Sequence, residues 1–183
     1  MRKFVNYRSY AELAVFCYNA VKYFMGVENK EIRPQIPRIK NVIFDWKRTL
    51  YDPESKTLIN GTKELLEMFS DHNIPMFLIG KGESDMYREV DRLGVKKFFK
   101  EIKFVEGEKN PEYYKPHIDS LNPSQTFVIG DRARSELATG KSLATTTVWV
   151  RQGKFADELP KNEQMVPDYQ VDSLIELRKL IQS

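Results

Sequence analysis

Five short, almost uninterrupted apolar runs constrain this chain more than anything else in it: Asn41–Asp45 (NVIFD), Ile74–Ile79 (IPMFLI), Glu101–Val105 (EIKFV), Thr126–Gly130 (TFVIG) and Thr146–Val150 (TTVWV). Each has the length of a strand, and their near-continuous apolarity fits burial on both faces. Helical patterns fall between them at about 62–71, 84–93, 111–121 and 133–139, with another at about 173–182. Strands that alternate with helices require crossover connections, which are right-handed, and so a parallel sheet covered on both sides. The expected fold is α/β: three layers, α/β/α, around a mostly parallel sheet of about five strands.

Ahead of this pattern, Ser9 and Glu12 form a capping box that starts a helix at about residue 10. Gly26 can stop it, and Ile32–Lys40, with Pro34 and Pro37, reads as an extended connector. Residues 1–38 are therefore expected as an N-terminal helical extension, and residues 39–183 as the α/β domain. The apolar stretch Tyr10–Val27 contains Glu12, Asn19 and Lys22, which argues against a membrane span, and no small-residue cleavage site comes after it. Helix 10–27 reads instead as buried, or as the surface through which a homo-oligomer forms. With 183 residues, one domain is expected, and a net charge of +3 is too weak to imply nucleic acid. One cysteine, Cys17, rules out an internal disulfide framework, and two histidines, His72 and His117, argue against a multi-His zinc site. A cytoplasmic location is expected.

In an open parallel sheet, ligands bind outside the carboxyl ends of the strands. At those ends stand Asp45-Trp46-Lys47-Arg48-Thr49-Leu50, then Gly80-Lys81-Gly82, then Lys109-Asn110-Pro111, then Gly130-Asp131 with Glu136 beyond it. This constellation suits attack on phosphorus. Asp45 can act as a nucleophile that forms an acyl phosphate. Two carboxylates facing a phosphate require a hard cation, and Mg²⁺ takes one or two carboxylates, with Asp45 and Asp131 the candidates. Lys109 can neutralise the transferring oxygens, while the backbone N–H groups of Gly80 and Lys81 can cradle them. Lys47 has a plain alternative as a structural cation paired with Asp45, and Lys81 as a solvated loop lysine.

The residues carrying this pattern resemble the haloacid dehalogenase-like (HAD) superfamily, over about residues 40–182. Val42-Ile43-Phe44-Asp45 with Thr49-Leu50 is similar to its first motif, D-x-D-x-T-L. Phe77–Gly80 stands at the second, Lys109–Glu112 at the third, and Phe127–Asp131 through Glu136 at the fourth. The resemblance implies a Rossmann-like fold and a phosphatase acting through Asp45 as nucleophile. It implies Mg²⁺ held by Asp45, the main-chain carbonyl of Lys47 and Asp131, with Glu136 steadying its water, and substrate contacts from Thr49, Gly80 and Lys81. Two departures stand out. Lys47 replaces the aspartate that serves such phosphatases as general acid and base, and Gly80 replaces a hydroxyl residue. An alternative is therefore a catalytically degenerate HAD-like protein that works as a binding or regulatory module. Bacterial receiver domains also use an aspartate and a lysine, but in another strand order. Asp45 and Gly80 lie 35 positions apart, and Gly80 and Lys109 lie 29 apart. Neither gap has room for an inserted cap, so an open site is expected, for a phosphorylated small molecule or macromolecule.

Overall fold

The computed structural model describes residues 38–182; the helix expected over 10–27 lies outside the described residues. Six strands form one sheet: β1 (Asn41–Phe44), β4 (Met76–Lys81), β5 (Phe99–Val105), β6 (Thr126–Gly130), β7 (Thr146–Val150) and β8 (Tyr169–Val171). Their order is β5-β4-β1-β6-β7-β8, and every neighbouring pair is parallel. From β1 the chain builds outwards to β4 and β5, then returns to β6 and builds the other way. The two directions diverge between β1 and β6, and a crevice opens there at the carboxyl ends. Asp45 and Asp131 immediately succeed these two strands.

Alternation along β1 explains the layers. Phe44 faces one side, where it meets Phe69 with ring centroids 6.0 Å apart and Phe99 at 6.4 Å. Phe69 comes from helix α1 (Thr62–Asp71), whose Leu65, Leu66, Met68 and Phe69 are buried at helical spacing. Ile43 faces the other side, in a cluster with Ile79, Tyr114, Val128, Leu137 and Trp149. Leu137 lies on helix α3 (Glu136–Ser142). Full burial of side chains such as Phe44 and Phe69 contributes about 1.5–3 kcal/mol each. Helices α2 (Ser84–Arg92) and α4 (Leu174–Gln182) stand within a residue or two of their expected limits.

Three features differ from the sequence expectation. Residues 111–121 hold no α-helix but two 3₁₀ turns, Pro111–Tyr113 and Lys115–His117. Pro116 removes a backbone donor there, and Asn110 accepts the Glu112 N–H at 2.9 Å, which starts a tight turn. Helix α3 begins three residues later than expected, because residues 133–135 form a turn in which the Ser135 N–H donates to the Arg132 carbonyl at 3.3 Å. The sheet has a sixth strand, β8, and an antiparallel hairpin, β2 (Tyr51–Asp52) with β3 (Thr57–Leu58), comes after the β1 loop. Strands of two or three residues are too short to show a period.

Candidate functional site

Asp45 extends the β1–β6 ladder by one rung, its N–H donating to the Ile129 carbonyl at 2.9 Å. The chain then folds back sharply. The N–H groups of Thr49, Leu50 and Tyr51 all reach the Trp46 carbonyl, at 3.3, 3.0 and 3.0 Å, and Arg48 takes a left-handed φ of 66°. This turn returns Thr49 beneath the aspartate, where its hydroxyl donates to Asp45 Oδ2 at 3.1 Å. The other oxygen, Oδ1, accepts from Lys109 Nζ. The same ammonium donates to Glu136 Oε2 at 3.1 Å, while Glu136 Oε1 accepts the Arg132 N–H at 2.8 Å. Glycine at 130 makes this possible: a Cβ there would stand 2.7 Å from Glu136 Cδ, so any side chain would push the carboxylate away. The Asp131 carbonyl accepts the Trp149 indole N–H at 2.9 Å, yet its carboxylate Oδ2 is buried without a partner.

Three buried carboxylates thus surround one ammonium. Asp45, Asp131 and Glu136 each bring an oxygen to within 4.8 Å of the others. Burial raises the Asp45 pKa, and the Lys109 charge opposes the rise. Burial, with Asp45 and Glu136 nearby, pushes Asp131 up to about 9. Burial alone would lower Lys109, but Asp45 and Glu136 outweigh it and hold its pKa above the usual lysine range. An orphaned, desolvated carboxylate oxygen beside two more hard oxygen donors is the environment that a divalent cation relieves. The donor set fits Mg²⁺.

A cleft of about 790 Å³ opens above this floor, lined by Asp45, Lys109, Asp131 and Glu136 and, among others, by Lys47 and Lys81. Lys47 forms no ion pair with a described carboxylate; the partner of Asp45 is Lys109. Its reading as a cation paired with Asp45 therefore does not describe this geometry. Thr49 and Gly80, expected to touch substrate, stand elsewhere. Thr49 is fully buried and orients Asp45. Gly80 lies behind the floor, where a Cβ would come within 2.6 Å of Phe104 Cε1 and 2.9 Å of Trp46 Cβ. A hydroxyl residue at 80 must displace one of these two side chains, and Trp46 is itself held by stacking on Tyr51 at 5.1 Å. The tyrosine at 114 belongs to the core cluster, and His117 stacks on Phe77 at 4.1 Å.

Among the further residues that line the cleft, Arg48, Arg132 and Phe155 have no role in the sequence motifs. The guanidinium of Arg132 lies 4.3 Å from the Phe155 ring centroid and that of Arg48 lies 5.7 Å away. Each arginine adjoins a residue of the strand-end motifs, which was an available signal. Phe155 gave none.

Residues 105–177, which contain Lys109, Asp131 and Glu136, match the HAD-hydrolase-like family model. Two curated relatives, the glyceraldehyde 3-phosphate phosphatases of Methanopyrus kandleri and Pyrococcus furiosus, are each 28% identical, over 101 and 102 residues. The match covers 52% of this chain and 43% and 42% of those proteins, so the chain spans less than half their length. The HAD-hydrolase YfnB from Bacillus subtilis, solved bound to magnesium, superposes with a TM-score of 0.66 at 15% identity, over 80% of this chain and all of that one. A HAD phosphatase from Thermococcus onnurineus superposes with a TM-score of 0.56 at 23% identity, over 68% of this chain and 58% of its own. These structures share the fold described above.

Proposed function

We propose that this chain, which belongs to the haloacid dehalogenase-like superfamily, is a Mg²⁺-dependent phosphatase that hydrolyses phosphate monoesters through Asp45. One observation carries the reading: Asp45 stands at the divergence of the two half-sheets, both its oxygens held, with Lys109 and the orphaned Asp131 carboxylate against it. An Asp45 oxygen forms a bond to phosphorus as the bond to the leaving oxygen breaks, and that leaving oxygen takes up a proton. Water then attacks the aspartyl phosphate, releasing inorganic phosphate and restoring the carboxylate. Thr49 fixes the carboxylate rotamer, and Lys109 offsets charge on the transferring oxygens. Asp45, Asp131 and Glu136 would hold Mg²⁺, which supplies further neutralisation of the phosphoryl charge. The relatives' activity on glyceraldehyde 3-phosphate supports phosphoryl chemistry on small molecules.

Lys47 sets the rate. An ammonium has no lone pair with which to activate water, and a positioned acid or base contributes about 10²–10⁴-fold. Turnover is therefore slow, and breakdown of the aspartyl phosphate limits it. Mg²⁺-dependent phosphate release from p-nitrophenyl phosphate tests this in wild type, Asp45→Asn and Lys47→Asp. The expected result is a slow wild-type rate, none in Asp45→Asn and a faster one in Lys47→Asp. The competing reading, a binding module without turnover, draws on Lys47 and on the crowded position 80. It prevails if wild type is silent on every phosphate ester tried while phosphate still binds.

A further inference from the structure

Apart from the floor residues Asp45, Lys109, Asp131 and Glu136, the mouth of the cleft is electrically lopsided. Along the strand order, the loops after β5 and β4 bring Glu106, Glu108 and Glu83 to the cleft, with Lys81 among them. The loops after β1 and β6 bring Lys47, Arg48, Arg132 and Arg134. Most of these cations are already engaged. Arg48 pairs with Glu54 at 2.7 Å, Arg132 pairs with Glu158 at 3.0 Å, and both guanidinium groups rest against Phe155. Arg134 donates to the Leu159 carbonyl at 2.7 Å. Lys47 is different: partly buried and cleft-lining, it has no carboxylate partner among the described residues. A cleft-lining cation without a carboxylate partner is placed to pair with an anion that arrives with the ligand.

We propose that Lys47, supported by Arg48 and Arg132, binds a second negative charge on the leaving portion of the substrate. The substrate class is then a small phosphate monoester whose alcohol part carries a carboxylate or another phosphate. The backbone span is short, because Lys47 stands two positions after Asp45 and two residues of chain reach at most about 7 Å, so the second charge lies within one lysine side chain of the reacting end. The inference rests on the phosphatase reading for placing the first phosphate at Asp45. It does not need turnover.

Two substrate pairs differ only in the second charge: 3-phosphoglycerate against glycerol 3-phosphate for a carboxylate, and fructose 1,6-bisphosphate against fructose 6-phosphate for a phosphate. Steady-state kcat/KM is measured for wild type. Binding is measured by calorimetry on Asp45→Asn, alone and combined with Lys47→Met or Lys47→Arg, with melting curves to check folding. The expected result is a preference of about tenfold or more for the doubly anionic member of at least one pair. That preference should disappear with Lys47→Met and persist with Lys47→Arg. Equal binding within both pairs, or a preference that survives Lys47→Met, overturns the inference even if all four esters are hydrolysed. A binding preference without turnover upholds it and removes the phosphatase reading instead.

Discussion

The floor of the cleft and its mouth put the same residue type to opposite uses. The Lys109 side chain is 6% exposed and held by Asp45 and Glu136, so its charge is committed before any ligand arrives. Lys47 lines the same cleft without a described carboxylate in range. An enclosed charge is set by its neighbours and is costly to isolate, whereas an open one is free for whatever enters. On the proposed reading the floor carries the chemistry and the mouth the selection.

The most severe way to break this contrast is at the nucleophile. Asp45→Asn should lower phosphate release by about 10⁴-fold or more while leaving binding of a phosphate ester measurable. The lysines come next. Lys109→Met strands two buried carboxylates and should destabilise the fold by about 3–5 kcal/mol in urea denaturation. Lys47→Met should change it by less than about 0.5 kcal/mol. Similar losses from the two would mean that the mouth is built like the floor.

Gly80→Ala tests the packing behind the floor. Its methyl must displace Phe104 or Trp46, at a cost of about 1–3 kcal/mol. A smaller effect than that of Gly80 runs in the other direction. The Asp131 pKa, about 9 in the fold, is far above the roughly 3.9 of an unfolded aspartate. Between these values the folded state holds the proton more tightly, so this group removes stability as pH rises. Asp131→Asn, which does not titrate, should be more stable than wild type by about 1 kcal/mol near neutral pH in EDTA. That margin should widen from pH 5 to pH 8. Added Mg²⁺ should stabilise wild type and do less for the variant, since a ligand of the folded state raises its apparent stability.

Much of the floor was legible in the sequence because its members sit at strand ends, and strand ends can be read from apolar runs. Asp45 and Asp131 were found that way, Lys109 by its place ahead of the helical pattern after the third run, and Glu136 by its spacing. What stayed hidden depends on contacts between distant segments. Nothing near Thr49 tells whether its hydroxyl faces the cleft or Asp45, because the tight turn around the Trp46 carbonyl decides it. The stretch at 111–121 carries a helical pattern of apolar residues, yet Pro116 and the Asn110 cap break it into 3₁₀ turns. The mouth was hardest to read, since the Arg48–Phe155–Arg132 stack joins three loops that share no local signal.

Position 80 also shapes what this chain can become. Two aromatic residues, from the β1 turn and from β5, close on it, so its neighbours set the outcome of a substitution there. A lineage under selection for a hydroxyl at that point meets a packing penalty first, because the Cβ of a serine must displace Phe104 or Trp46. If Phe104 or Trp46 shrinks first, that penalty falls, and the intermediate carries looser packing instead. The landscape around this glycine is a valley with its useful neighbour on the far side of a ridge, and the order of the substitutions decides whether the ridge can be crossed.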